Sequence, residues 1–164
     1  MDFRTKYEKL LKPTYNKIYG YPFKYEGFTR VPEGWYTLVD TFLSKVDKYL
    51  NVINNEKEEE DKILFLLDQI KEKFGGLRIY HSLSHHNTLQ ANEQLSDTIT
   101  SLYGAIDGII EMTEAMSFNI CQECGLPGKG IDINDWIYTL CEKCYLIKCK
   151  DFQVEPNYNK ANII

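Results

Sequence analysis

Two cysteine pairs constrain this chain more than any other feature. Cys121-x-x-Cys124 is followed, after sixteen residues, by Cys141-x-x-Cys144. That is the spacing of a four-cysteine zinc site, in which each pair sits on a tight turn and the two turns meet as a tetrahedron. Backbone N–H groups of such turns can point at sulfur, and Gly125, Pro127, Gly128 and Gly130 permit a sharp path after the first turn. Four thiolates fill the shell of Zn2+ and leave no position for water, so the expected ion is structural and not a Lewis acid. Three rivals stay open: iron in a rubredoxin-like arrangement of the same spacing, a pair of disulfides, which a reducing compartment disfavours, and free core thiols. Cys149 is the odd cysteine.

The rest of the composition bounds the class. A chain of 164 residues with 43% hydrophobic residues and 13% aromatics can bury a core, which excludes global disorder. The formal charge of −5 argues against a general nucleic-acid binder. Residues 1–30 are the exception, with five Lys and two Arg against three acids, and eight aromatic residues. Interleaved cations and rings can hold phosphates and stack bases, or can pack the segment onto the core. Residues 117–164 are acidic by one charge, and thiolates around a divalent ion would deepen that, so the ribbon is disfavoured as a nucleic-acid reader. No apolar run reaches ~18 residues, and the first twenty residues lack the unbroken apolar stretch of a signal peptide. A soluble, cytoplasmic protein without a membrane partner is expected.

Periodicity predicts a first amphipathic helix from Trp35, through Leu38, Val39, Phe42, Val46, Tyr49, Leu50 and Ile53. A second runs from about Asn87 or Asn92, with Leu95, Ile99, Leu102, Ile106, Ile109, Ile110 and Met116 as its stripe. A short helix capped by Asp2 and reaching Lys12 is also expected, and 54–62 reads as a solvated acidic loop. Residues 63–73 stay open between helix and strand, because Ile63-Leu64-Phe65-Leu66-Leu67 is too short for periodicity to decide. Gly75-Gly76 breaks the segment, and Leu77–Tyr80 alternates as a strand. The fold class is therefore α+β: an amphipathic helical pair with a small β element and a C-terminal four-cysteine zinc ribbon. The expected division is a body over 1–117 that carries the basic N-terminal segment, the ribbon over 118–147, and a tail over 148–164.

Recognisable catalytic patterns do not emerge. His81, His85 and His86 could bind a second metal or supply a general base, but they fall in a stretch rich in Ser, His and Asn, read as a loop, and no Walker, dinucleotide or nucleophile-elbow motif accompanies them. The block Lys73-Phe74-Gly75-Gly76-Leu77-Arg78 is more suggestive. Its glycines let the backbone approach a ligand or another strand closely, and Lys73 with Arg78 could clamp an anion.

Together the motifs resemble a family of small phage and prophage zinc-ribbon proteins. The resemblance rests on Gly34-Trp35 opening a helix, the Lys73–Tyr80 block, Cys121-x-x-Cys124-Gly-x-Pro-Gly128, and Trp136-x-x-Thr-Leu-Cys141-x-x-Cys144, over about residues 33–146. Ile79 stands where the family commonly has an aromatic, and Cys144 where members can have His. The phage setting brings to mind proteins that sequester nucleotide immune signals without cleaving them, an analogy of context. The favoured expectation is thus non-enzymatic capture of a small anionic ligand, a nucleotide, in a counter-defence role. Tyr21, Trp35 and Tyr80 would offer ring faces to the base, and Lys24, Lys73 and Arg78 would hold phosphate. The alternative is a zinc-ribbon adaptor that binds a host or phage protein in transcription or replication. Homo-oligomerisation is left open.

Overall fold

The computed structural model describes residues 31–58, 62–85 and 93–158. The helix expected over residues 2–12 lies outside them. In chain order, a 3-10 turn at Glu33–Trp35 opens helix α1 (Tyr36–Asn54), and strands β1 (Ile63–Lys73) and β2 (Gly76–His85) form a hairpin. Helix α2 (Glu93–Ser117) follows, then a second hairpin of β3 (Lys129–Ile133) and β4 (Trp136–Leu140), then helix α3 (Glu142–Phe152). The fold is α+β. None of the described helices is long and apolar enough to cross a membrane.

Both hairpins turn on two residues with positive φ, the backbone of a type I′ turn, whose twist suits antiparallel strands. In the first they are Phe74 (φ 53°) and Gly75 (φ 74°); in the second, Asn134 (φ 54°) and Asp135 (φ 66°). Asn and Asp tolerate this region. Phe does not: a bulky L-residue there costs ~1–2 kcal/mol, and Phe74 is 66% exposed, so no burial offsets the strain.

The chain divides into two compact units. In the first, whose described residues fall within 40–69 and 79–111, α1 buries Phe42, Leu43, Val46 and Leu50 at the three-and-four spacing of one helical face. The strand β1 buries Ile63, Phe65, Leu66 and Leu67. Three consecutive buried residues, 65–67, mean that both faces of the strand are covered, which erases the alternation that would have marked it as a strand. Asn54, at the end of α1, donates to Ile63 O (2.8 Å) and accepts from Ile63 N (2.9 Å), so one side chain pins the start of the strand to the end of the helix. Phe42 meets Phe65 edge to face at 6.2 Å.

His81 lies inside β2, which continues to His85, and not in a loop. The alternation read over Leu77–Tyr80 was cut short because Ser and His are weak strand markers; pairing with β1 carries the strand through them. The His81 side chain is buried, stacked on Phe65 at 5.4 Å and tilted against Tyr103 at 5.7 Å. Its Nε2 has no hydrogen-bond partner and sits 3.8 Å from Asp107 Oδ1. Burial pushes the imidazole below its ordinary pKa, and Asp107 and Asp68 only partly oppose this.

The second unit, within 31–39, 70–78 and 112–158, is organised around a small cluster: Cys121, Ile131, Ile133, Leu140, Cys141, Tyr145 and Cys149, with Tyr138, Cys144, Val154 and Tyr158 packed against it. The β3–β4 register pairs Lys129 with Leu140, Ile131 with Tyr138 and Ile133 with Trp136. Ser117, the last residue of α2, donates to Glu114 O (2.5 Å) and accepts from Leu77 N (2.8 Å), so one buried hydroxyl both ends the helix and receives the start of β2.

The lowered His81 pKa fixes the sign of a pH effect. The unfolded chain takes up a proton near 6.5, which the folded chain refuses until lower pH, so this contribution is complete above 6.5 and is lost as pH falls below it. Urea midpoints measured between pH 7.5 and 5 should fall, and His81→Gln should show a shallower fall over the same range.

Candidate functional site

Three stretches of backbone converge to build the thiol cluster. Residues 121–125 form a tight knuckle: Cys121 N donates to Leu126 O (2.7 Å), Gly125 N donates to Cys121 O (2.9 Å), and Gly125 adopts φ 77°. The second pair straddles the end of β4 and the first turn of α3, with Cys141 as N-cap. Gly34 N donates to Gln122 O (2.9 Å) and the indole N–H of Trp35 donates to Ile120 O (2.8 Å), which anchors the knuckle from the side of the 3-10 turn. Gln122 and Thr139 lock it to β4 through Gln122 N to Thr139 O (2.9 Å) and Thr139 N to Gln122 Oε1 (3.1 Å).

The result brings Cys121, Cys124, Cys141 and Cys144 together, with all four Sγ atoms within 4.8 Å of one another and Cys124 Sγ 3.6 Å from Cys141 Sγ. A tetrahedron with metal–sulfur bonds of ~2.3 Å has sulfur–sulfur edges of ~3.8 Å, so this donor set fits a four-coordinate ion. No disulfide forms among the five cysteines. Backbone amides aim at the sulfurs, as expected of such turns. The Leu126 N–H holds the Cys124 thiol below its ordinary pKa. Burial pushes Cys121 up against hydrogen bonds from the Cys141, Cys124 and Glu123 backbones, and burial together with neighbouring sulfurs pushes Cys144 up. A divalent cation reverses that preference, because it stabilises the thiolates that crowding destabilises. Cys149 is buried in the same core cluster as Cys121 and Cys141 and is not one of the four.

The other sequence-selected site residues that the structure describes are Trp35, Lys73, Arg78 and Tyr80. Trp35 has 0% exposure, so both faces of its ring are covered. Arg78 is held in place: its guanidinium donates to Leu77 O (2.6 Å), lies 3.6 Å from Glu114 Oε2 and sits over the Phe118 ring at 5.4 Å. Lys73 is exposed, with its ammonium 5.4 Å from the Phe74 ring centroid. Tyr80 is 45% exposed and belongs to the first unit, whereas Lys73, Arg78 and Trp35 belong to the second. Tyr21 and Lys24 lie outside the described residues. The two glycines of the block are spent on close packing within the protein. A Cβ on Gly75 would stand 2.8 Å from Ile137 Cγ2, and one on Gly76 would enter the Phe118 ring. Thr139 Oγ1 donates to Gly75 O (2.7 Å) and fixes this approach.

What the packing does create is a cleft of about 310 Å³ lined by Glu72, Lys73, Phe74, Asp135, Trp136 and Ile137. The two hairpin turns form its rims, and each presents an exposed aromatic, Phe74 at 66% and Trp136 at 67%. Glu72 Oε1 accepts from Gly75 N (2.8 Å), and Asp132 Oδ1 accepts from Asp135 N (3.0 Å), so both turns are braced by carboxylates. The second turn had a readable signal, Asn134-Asp135 between alternating apolar residues. In the first turn Gly75 was readable as a break, and Phe74 at the other central position was not.

Comparison with family models, with curated proteins and with solved structures finds no match for this chain.

Gly34 is where the knuckle's packing is least forgiving, since a Cβ there would collide with the carbonyl of Cys121 and stand 2.7 Å from that of Gln122. Gly34→Ala should cost ~2–3 kcal/mol, read as a lower urea midpoint. Gly104→Ala, on the exposed face of α2 with nothing within 4 Å of the new Cβ, should gain ~0.5–1 kcal/mol instead.

Proposed function

We propose that the chain is a non-enzymatic binding protein, held in shape by structural Zn2+, which docks another protein on its hairpin tips. One observation carries this reading: two turns that share a cleft each leave an aromatic ring about two-thirds exposed, at 66% and 67%. Exposed aromatics on rigid turns are the anchors that protein interfaces use. The reading takes from the sequence its finer architecture, an amphipathic helical pair with a C-terminal zinc ribbon, and from the family resemblance its phage setting. Zinc is favoured by the donors, because four soft thiolates in a closed tetrahedral set suit it. Ligand thiolates must be formed for it to bind, so the metal also couples this unit's folding to its loading.

The runner-up is capture of a small anionic ligand, a nucleotide immune signal. Lys73 beside two exposed rings favours it, as a cation for phosphate and faces for a base. The electrostatics weigh the other way. Glu72 and Asp135 outnumber Lys73 at the cleft, and Arg78 already faces Glu114.

Native mass spectrometry of the untreated protein should show about one zinc per chain, with strong chelation destabilising residues 118–147. A red-brown, iron-loaded protein would replace zinc in the reading. A photo-crosslinking residue at position 136 should yield a protein adduct in the native cell, whereas one at Val52, exposed on the first unit, should not. A nucleotide released unchanged by heat, with no adduct, would move the function to capture.

A further inference from the structure

The Phe74–Trp136 cleft has a definite chemistry, and from it we infer that the docked partner presents an arginine side chain on a basic segment. This rests on the docking reading and deepens it. The six lining residues include two carboxylates, Glu72 and Asp135, and one ammonium, Lys73. Lys73 is engaged with the ring of its own tip, Phe74. The opposite tip offers the Asp135 carboxylate next to the Trp136 indole with no cation among its lining residues. A guanidinium is the group that satisfies both at once, stacking on an indole face while pairing with a carboxylate. Glu72 spends one oxygen on Gly75 N, and its other oxygen can accept from the same planar fork. The chain's formal charge of −5 attracts a basic segment at long range and repels an anionic one.

Backbone conformation supports the assignment independently. In a type I′ turn, Asn is favoured at the first central position and Gly at the second. Phe74 occupies the first in one turn, and Asp135 the second in the other. Each tip thus holds a side chain in the left-handed region at the place where the cheaper residue is absent, and both line one cleft. Neither side chain is buried, so internal packing does not account for them. At Phe74, where so bulky a side chain is strained, its retention marks a working surface.

The test is a titration of the metal-loaded full chain with a Gly-Arg-Gly-Arg-Gly-Arg peptide, followed by the two indole N–H signals in 1H–15N spectra. The Trp136 signal should move saturably while that of buried Trp35 stays in place. Asp135→Asn and Glu72→Gln should each weaken binding about threefold. Phe74→Asn should weaken it similarly without lowering the melting temperature, which separates loss of the ring from loss of the fold. The same peptide with citrulline for arginine, and AMP, should leave Trp136 unmoved. The inference is overturned if the arginine peptide gives no saturable shift, if citrulline binds as tightly, or if AMP moves Trp136 instead. A protein adduct at position 136 with no response to arginine would overturn the ligand class alone and leave the docking reading standing. Loss of both would remove the two together.

Discussion

Four sulfur atoms within 4.8 Å of one another are the constraint on which the second unit depends. Its apolar cluster is small and includes three of the cysteines of the chain, Cys121, Cys141 and Cys149, at its centre. A core of that size contributes little against the entropy of ordering long turns. Bringing the knuckle to the head of α3 closes the loop that contains β3 and β4. Once it is closed, the Gln122–Thr139 pair, the Thr139 hydroxyl on Gly75 O, and the Trp35 indole on Ile120 O all fall into place as buried or half-buried hydrogen bonds. Each is worth ~1 kcal/mol when made and more than that when one partner is left unpaired. Their value therefore depends on the thiol cluster holding its shape.

The same scaffold explains how exposed aromatics can be held in fixed positions. Phe74 and Trp136 stand at the ends of short two-residue turns, not on long loops, and the turn between β1 and β2 is held against β4 by the Thr139 hydrogen bond. Little side-chain or backbone freedom is lost when a partner docks on such rings, which is the advantage of preorganisation. Arg78 contributes to this scaffold. Flanked by Glu114 and Phe118, it closes the far side of the Gly76 approach, where a Cβ would meet the Phe118 ring.

Residue patterns made some of this legible and hid the rest for identifiable reasons. The cysteine spacing carries local geometry, since two residues between ligands fit one tight turn, and the four sulfurs do meet. The α1 stripe through Phe42, Val46 and Leu50 was readable because one face is buried and the other wet. The strand β1 was not, because Phe65, Leu66 and Leu67 are all buried and no alternation survives. His81 read as part of a polar loop, whereas strand pairing and the Phe65 ring hold it inside. Lys73 and Arg78 read as partners across two glycines; the glycines instead admit Ile137 and Phe118, and Arg78 turns to Glu114.

The sequence by itself determined the metal-type donor set, the positions of the long helices, and the break at Gly75-Gly76, because each depends on residues within a few positions of one another. Only the tertiary structure decided that residues 63–73 are a strand, that Trp35 is a buried donor to Ile120 and not an open ring face, and that Phe74 and Trp136 border one cleft. The last two join residues 85 and 62 positions apart, and the strand depends on packing against α1 from Phe42 to Phe65. The energy that fixes them comes from packing and from burial of polar groups, which no local pattern encodes.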